Sequence, residues 1–435
     1  MIQETGIMSK QTEIQWGEVE VVKSSVLDWK EVKVEDIKAD FAHALSTGPF
    51  GSAISSKYFL ESGFPVIRGA NLSQNVSERL SDDGLVFISP EKAQEFRRSV
   101  VRKGDLIFTC WGTINQVGLI DGKSKYEEYV ISNKQMKLTP DLKKADPYFL
   151  YYLFSSPDYQ SRILNNDIGS SVPGFNLGQL KKMEMLLPSI SEQRAIAAVL
   201  SSLDEKIDLL HRQNATLEGL AETLFRQWFV EEAKEDWEET CLGEVISVKG
   251  GTTPSTKETD FWDGTINWTT PKDLSNHTSV YMLDTERKIT EKGLAKIGSG
   301  LLPLGTVLLS SRAPIGYLAI TSIPVAINQG YIAILCDKGL SNYFMFLWCK
   351  TNLEEIKNNG NGSVFQEISK SVFKELKITL PPKEILDRFD EMIESSFEKI
   401  RNNQTQIQTL STLRDTLLPK LMSGEVRVNF DNGKA

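Results

Sequence analysis

The chain has 435 residues, of which 40% are hydrophobic and 25% charged, and a net charge of −9. That length exceeds what one core usually holds and favours two or three domains of ordinary globular composition. There is no run of ~18 apolar residues to span a membrane and no basic-then-apolar signal peptide; the four cysteines and three histidines are scattered, which argues against a zinc site and for a reducing cytoplasm.

The acidic excess is local. Net charge is −3 over residues 1–28, +1 over 29–187, −5 over 188–236, −1 over 237–380 and −1 over 381–435. The acid on 188–236 argues against that segment facing DNA, while the two large near-neutral segments leave room for phosphate-binding patches.

Residues 1–28 read as a polar leader that packs on a partner or extends toward one. The first large unit, 29–187, opens at Trp29-Lys30-Glu31-Val32-Lys33-Val34. Short β-branched strands and turn-rich loops follow. Tyr148 to Leu153 reads as a buried helix, and Leu180 to Pro188 as an alternating edge strand. This is an α+β globule.

The next segment, 188–236, holds the clearest pattern in the chain. Ile196, Leu200, Leu203, Ile207, Leu210, Asn214, Leu217, Ala221, Leu224 and Trp228 are spaced alternately four and three apart, and nine of these ten are apolar. Such spacing is a heptad seam, so one long helix should lie lengthwise on another, although helical domains in general also carry apolar stripes. Pro188 ends what precedes it, and Ser191-Glu192-Gln193 supplies a capping residue and first-turn acid. At 1.5 Å per residue the seam is ~50 Å long.

The second unit, 237–380, repeats the first. Trp237 to Val245 answers Trp29 to Ile37, Ile266 to Leu274 answers Phe64 to Leu72, and Gly305 to Leu309 answers Gly104 to Phe108. Tyr343 to Trp348 answers Tyr148 to Leu153, and Phe373 to Pro381 answers Leu180 to Pro188. A distal helix over 381–425 follows, then a tail over 426–435. At a constant offset of 193 the distal helix maps onto the central one, with Phe389 on Ile196, Ile400 on Ile207 and Leu421 on Trp228. Ser396, Asn403 and Arg414 interrupt its seam, and Pro419 should end or kink it. Paired antiparallel with ends matched, the two helices put Asn214 opposite Asn403. A buried amide pair fixes register at some cost in stability; a parallel pairing would leave Asn214 beside Ile407.

No catalytic motif stands out. Asp146-Pro147-Tyr148-Phe149 has one proline where an amino-methyltransferase loop needs two, and Gly118 to Ser124 is one residue short of a P-loop. Neither paired carboxylates nor a metal-ligand cluster is evident. Instead the two units carry loops rich in Gly, Ser, Thr, Asn and Arg. In the first, Thr47, Phe50, Ser52, Arg68, Asn71 and Trp111 are the candidate DNA contacts. In the second they are Thr252, Thr253, Thr269, Lys272, Ser311, Arg312, Asn328 and Gln329. Small donors and amides beside Arg or Lys suit phosphates and base edges, and they also suit plain turns.

Two globules, each followed by a copy of one long helix, resemble the specificity subunits of Type I restriction–modification enzymes across nearly the whole chain. The carriers are Gly48-Pro49-Phe50-Gly51-Ser52, the junctions at Pro188 with Glu192-Gln193-Arg194 and at Pro381, the Trp237…Leu242-Gly243-Glu244 opening, and Leu418 to Glu425. The second junction departs from the pattern, with Glu384-Ile385-Leu386 in place of Glu-Gln.

The resemblance implies a non-catalytic subunit with two target-recognition globules, each reading half of a bipartite asymmetric site in double-stranded DNA. The two helices form an antiparallel coiled coil with an internal pseudo-two-fold repeat and act as spacer. It also implies two modification subunits, which carry S-adenosylmethionine and methylate adenine at N6, and restriction subunits that use ATP and Mg; this chain itself holds no cofactor. Two rivals are a structural adaptor whose globules bind proteins and a self-contained methyltransferase, for which no methyl-donor site is evident.

Overall fold

The computed structural model describes residues 28–166, 173–275, 279–362 and 366–428. The expected leader, apart from Asp28, and the tail beyond Val428 lie outside the described residues. The described chain divides into two compact units, one within Met1–Lys206 and Leu410–Ala435, the other within Ile207–Thr409.

Among the described residues the first unit contains ten strands: β1 (Lys30–Lys33), β2 (Leu45–Thr47), β3 (Phe64–Ile67), β4 (Val86–Ile88), β5 (Val100–Arg102), β6 (Leu106–Thr109), β7 (Val117–Leu119), β8 (Glu128–Ile131), β9 (Gln135–Leu138) and β10 (Glu184–Leu187). They form one sheet in the order β2-β9-β6-β7, another in the order β4-β3-β8-β5, and the antiparallel pair β1-β10. The second unit contains β11 (Glu238–Cys241), β12 (Ser247–Lys249), β13 (Trp262–Thr269), β14 (Tyr281–Met282), β15 (Arg287–Ile289), β16 (Val307–Ser311), β17 (Ile315–Thr321), β18 (Ala326–Ile327), β19 (Tyr331–Leu335) and β20 (Lys377–Leu380). Their sheets are β12-β19-β16-β17-β14, β15-β13-β18 and β11-β20.

The internal repeat holds for most strands, with β5 peculiar to the first unit and β14 to the second. The pair β1-β10 corresponds to β11-β20, and β2-β9-β6-β7 to β12-β19-β16-β17. The parallel contact of β3 with β8 (Val66↔Val130) recurs as β13 with β18 (Trp268↔Ala326). Strand β10 alternates exposed and buried residues as an edge strand does.

Each unit has one aromatic helix buried between its sheet and the long helices. In the first unit it is Pro147–Ser155, started by Asp146, whose carboxylate accepts from the Tyr148 and Phe149 amides at 3.0 and 3.1 Å. In the second it is Asn342–Thr351, capped by Ser341. Both are fed by Tyr, Phe and Leu side chains on nearly every face, so neither shows a polar stripe.

The central helix runs from Ile190 to Arg226 and the distal helix from Lys383 to Ser423. The capping hydroxyl of the central helix is that of Ser189, accepting from the Glu192 amide at 3.2 Å, and not that of Ser191, which already lies inside the first turn. The two helices are antiparallel. Within the first unit Asp204 meets Arg414 at 2.9 Å. Within the second, Asn403 Nδ2 donates to Asn214 Oδ1 at 2.8 Å and the Trp228 ring lies 5.9 Å from that of Phe389.

The strict heptad seam needs one amendment. Phe225 is buried where Leu224 is half-buried, Phe397 where Ser396 is, and Leu418 where Leu417 is. A straight α-helix drifts ~20° per heptad, so after about four heptads the buried stripe has moved by nearly one residue. Pro419 does not end the distal helix, since it forfeits one hydrogen bond in the last turns. Gly424 ends it, in a left-handed conformation at φ 73°, with the Val426 amide closing back on the Lys420 carbonyl.

Candidate nucleic-acid interface

Strand register decides which loops can act together. In the first unit β2 ends at Thr47 opposite Met136, and β6 ends at Thr109 opposite Gln135, the first residue of β9. Strands β3 and β8 end side by side at Ile67 and Ile131. Three backbone bonds then tie the loops to one edge: Ser132 N–H to the Ile67 carbonyl (3.0 Å), Gly48 N–H to Gln135 (2.8 Å) and Cys110 N–H to Lys134 (2.7 Å). The second unit repeats the first and third, and ties its glycine loop to the neighbouring strand by a bond of its own. Asn328 N–H donates to Thr269 (3.1 Å), Thr252 N–H to Ile327 (3.0 Å) and Ser311 N–H to Gly330 (2.8 Å).

The local sequence explains the frame. A Cβ on Gly48 would sit 1.8 Å from the Ser132 carbonyl oxygen, and one on Gly251 would sit 1.8 Å from that of Ile327. Only glycine allows the two backbones to approach so closely. Next to each glycine loop stands a capped turn. Asn71 Oδ1 accepts from the Arg68 amide at 3.0 Å, and Asp273 Oδ2 accepts from the Thr270 amide at 2.7 Å. These two turns are the segments that answer each other in sequence.

The candidate residues therefore fall into one cluster per unit, and burial sorts them. Phe50 (72% exposed), Trp111 (44%) and Ser52 stand out from the first edge, with Thr47 half-buried. Arg68 is half-buried; its Nη2 donates to the Gly84 carbonyl at 3.0 Å, and its guanidinium lies 5.8 Å from the Phe59 ring. Thr252, Lys272 and Gln329 are exposed on the second edge, and Thr253, Arg312 and Asn328 are half-buried there.

Three candidates face inward. Asn71, Thr269 and Ser311 are all but fully buried. The Asn71 amide spends both its protons on the Ser81 and Asp83 carbonyls, at 3.1 and 2.9 Å. The Thr269 hydroxyl is held within 3.3 Å of Asp273 and Tyr331. A polar side chain whose atoms are committed indoors shapes the loop and has nothing left for a base edge.

The two edges differ electrostatically. On the second, Lys272 pairs with Glu286 at 3.3 Å and Arg312 with Glu367 at 3.5 Å, and Thr253 donates to Gln329 at 2.8 Å. On the first, the Arg98 guanidinium lies 5.6 Å from the Phe50 ring. Arg98 and Lys134 are exposed and, among the described residues, make no ion pair. Cys110 beneath this edge is no nucleophile: burial pushes its thiol up to about 11.

Arg98, Asn133 and Lys134 also stand at the first edge, beyond the residues that sequence pattern singles out. Asn133 stands where Gln329 does, one residue beyond the bond that Ser132 and Asn328 each make to the neighbouring strand. Carrying the repeat through the β8–β9 and β18–β19 connections would have found it. Arg98 carried no such signal, because only the fold brings it to Phe50. Among the described residues no group of three His, Cys, Asp or Glu side chains could hold a metal ion, and no helix is long and apolar enough to cross a membrane.

The family described as Type I restriction modification DNA specificity domain matches residues 27–219 and 234–411. The chain belongs to that family. The specificity subunit of the Type I restriction enzyme MjaIX from Methanocaldococcus jannaschii is 39% identical over 183 residues, 40% of this chain and 42% of that one. The HindI specificity subunit of Haemophilus influenzae is 22% identical, covering 92% of this chain and 100% of its own length. Among solved structures, the Type I restriction–modification S subunit from M. genitalium shares the fold at a TM-score of 0.60 and 16% identity, covering 92% of this chain and 97% of that one.

Proposed function

We propose that each unit reads one half of a bipartite, asymmetric site in double-stranded DNA through its loop edge, and that the paired helices serve as the spacer. The observation that carries this reading is the duplicated frame. Two equivalent backbone bonds, a close-packed glycine and the same capped turn gather a loop edge in each unit, yet the side chains presented there differ. A shared frame with divergent tips is what two readers of two sequences require. Phe50, Ser52, Trp111, Arg98, Asn133 and Lys134 do the reading and phosphate binding on the first edge. Thr252, Thr253, Lys272, Arg312, Asn328 and Gln329 do so on the second. Asn71, Thr269 and Ser311 hold the loops in shape.

In this reading the chain catalyses nothing itself. It docks two modification subunits, which bring S-adenosylmethionine, and through them restriction subunits, which bring ATP and Mg. Methylome sequencing of cells carrying this chain with its modification subunit tests the proposal. A split motif with one methylated adenine per half is expected, and exchanging residues 29–187 for those of a relative should rewrite one half only. A swap that altered both halves, or methylation without a split motif, would remove the assignment of one edge to one half-site.

A further inference from the structure

The first unit buries an ionic node where the second buries hydrocarbon. Arg79, from the segment after the Arg68–Asn71 turn, donates to Asp121 at 3.1 Å, to the Tyr152 hydroxyl at 2.9 Å and to Ser201 at 3.2 Å. The Tyr152 hydroxyl donates to Asp204 on the central helix at 2.6 Å. Arg414 on the distal helix meets the other Asp204 oxygen at 2.9 Å, and Ser77 bonds both Asp204 and Arg414. Arg79, Asp121, Asp204 and Arg414 each expose no more than 7% of their side chains. Two buried cations thus face two buried carboxylates, every one of them paired.

The counterparts in the second unit follow from the same repeat. Asp204 corresponds to Phe397 and Arg414 to Ala221, at the helix offset of 193. Tyr152 corresponds to Leu347 in the aromatic helix. The Arg79 carbonyl accepts from Leu119 N–H on β7, and the Val280 carbonyl accepts from Ile320 N–H on β17, so Arg79 corresponds to Val280. Val280, Leu347, Phe397 and Ala221 all lie in one apolar cluster, none exposed above 1%. At the Asp204–Phe397 place size is compensated along with charge. Where the first globule brings the bulky Arg79 and Tyr152, the central helix brings the small Asp204. Where the second brings the smaller Val280 and Leu347, the distal helix brings Phe397.

We propose that this node is a positional key. It lets a globule carrying Arg79 and Tyr152 dock only on the helix segment that carries Asp204 and Arg414, so the two globules of this chain are not interchangeable although their folds repeat. The first globule placed at the second position would bring Asp121 with Arg79 but would meet Ala221 and Phe397 where Arg414 and Asp204 belong, crowding Tyr152 and leaving its hydroxyl without the carboxylate it donates to. The key acts before any reading of DNA and stands apart from that function.

The test uses the full chain. In one chimera residues 29–187 also replace residues 237–380. It should unfold ~5–10 °C below the wild type, the penalty of a buried ionic network that has lost its helix carboxylate and met Phe397 instead. Adding Phe397→Asp and Ala221→Arg to the chimera should recover most of that loss. The same pair of substitutions in the wild-type chain should lower its unfolding temperature. The sign reversal is the decisive readout, since a merely structural role would make the pair harmful in both backgrounds. A chimera as stable as the wild type overturns the proposal. So does a pair that fails to rescue the chimera, including one that leaves it insoluble.

Discussion

Set side by side, the two globules agree in backbone and disagree in side chains at two depths. At the edge, Cys110-Trp111 and Ser311-Arg312 leave equivalent strands, anchored by equivalent bonds to Lys134 and Gly330. One presents an indole and the other a guanidinium. In the interior, the layer against the long helices is ionic in the first unit and apolar in the second. The bonds that make the frame are backbone bonds, which demand glycine at the two close approaches and leave the other side chains free to vary. Duplication therefore preserves the frame while leaving the tips and the packing layer free to diverge.

The interior difference gives the largest expected effect. Asp204→Asn keeps the shape but removes the one buried carboxylate that both Arg79 and Arg414 face, leaving Arg414 only the exposed Asp415, and should cost ~3–5 kcal/mol. Phe397→Leu at the corresponding place only trims hydrocarbon and should cost about 1–2 kcal/mol. Denaturant unfolding of the two variants measures the contrast. Equal losses would mean that the ionic layer behaves as ordinary packing.

At the edge the effects are smaller and distinguishable in kind. Arg312→Ala should cost about 1–3 kcal/mol and relax one position in one half of the methylated motif. Lys272→Ala should weaken binding to all sequences alike and reduce the salt dependence by about one counterion. Trp111→Ala should relax only the other half. Methylome sequencing reads the first and third, and binding titrations across salt concentrations read the second. Wild-type motifs and affinities in all three would show that these tips do not touch DNA.

Much of this was legible in the sequence because it rests on spacing. The heptads, the offset of 193 and the Asn214–Asn403 pairing depend on helical periodicity alone, which one chain displays by itself. The paired turns at Arg68–Asn71 and Thr270–Asp273 were legible as a repeat, but not the role of each residue within them. Asn71 and Thr269 look like free polar side chains on paper. They are indoors because β3 and β13 deliver them into the turn, and burial of a polar atom follows from contacts distant in sequence. The ionic node was invisible for the same reason. Arg79, Asp121, Tyr152, Asp204 and Arg414 share no spacing, and Arg414 looked like a flaw in the distal seam. A charge on a seam was in fact the signal that another charge had to meet it.

The amide layer sharpens the comparison along the helices themselves. By the offset of 193, Asn214 corresponds to Ile407 and Asn403 to Leu210, so the repeat contains the apolar version of its own polar layer. Asn403 is fully buried, and among the described residues its side-chain oxygen has no partner. Converting the layer with Asn214→Ile and Asn403→Leu should therefore raise stability by about 1 kcal/mol, while the register loses its polar constraint. Asn403→Leu alone should lower stability, because it strands the Asn214 amide. Thermal unfolding of the single and double variants decides between a register device and an incidental pair, which would give additive effects.

The smallest expected difference concerns the caps of the two aromatic helices. The first is capped by the carboxylate of Asp146, whereas the second is capped by the Ser341 hydroxyl, which in turn donates to Asp390 at 2.6 Å on the distal helix. Burial holds the Asp390 carboxyl above its ordinary value, with Asp387 and Glu394 adding like charge, against the lowering effect of the Ser341 bond. A carboxyl raised in the folded state binds its proton more tightly there than in the unfolded chain. Its effect on stability is absent at a pH below the unfolded value, where both states are protonated. It becomes a penalty as pH rises through the folded value. Asn at this position keeps the acceptor for Ser341 and cannot ionise. Asp390→Asn should thus leave the unfolding temperature unchanged near pH 3 and raise it by ~1 °C near pH 7, a small gain because the site is partly solvated. Asp146→Asn in the first unit should give no such gain, since Asp146 is the cap itself and an Asn cap is about equivalent. A pH-independent response at Asp390 would show that the hydrogen bond to Ser341 outweighs the burial of the charge.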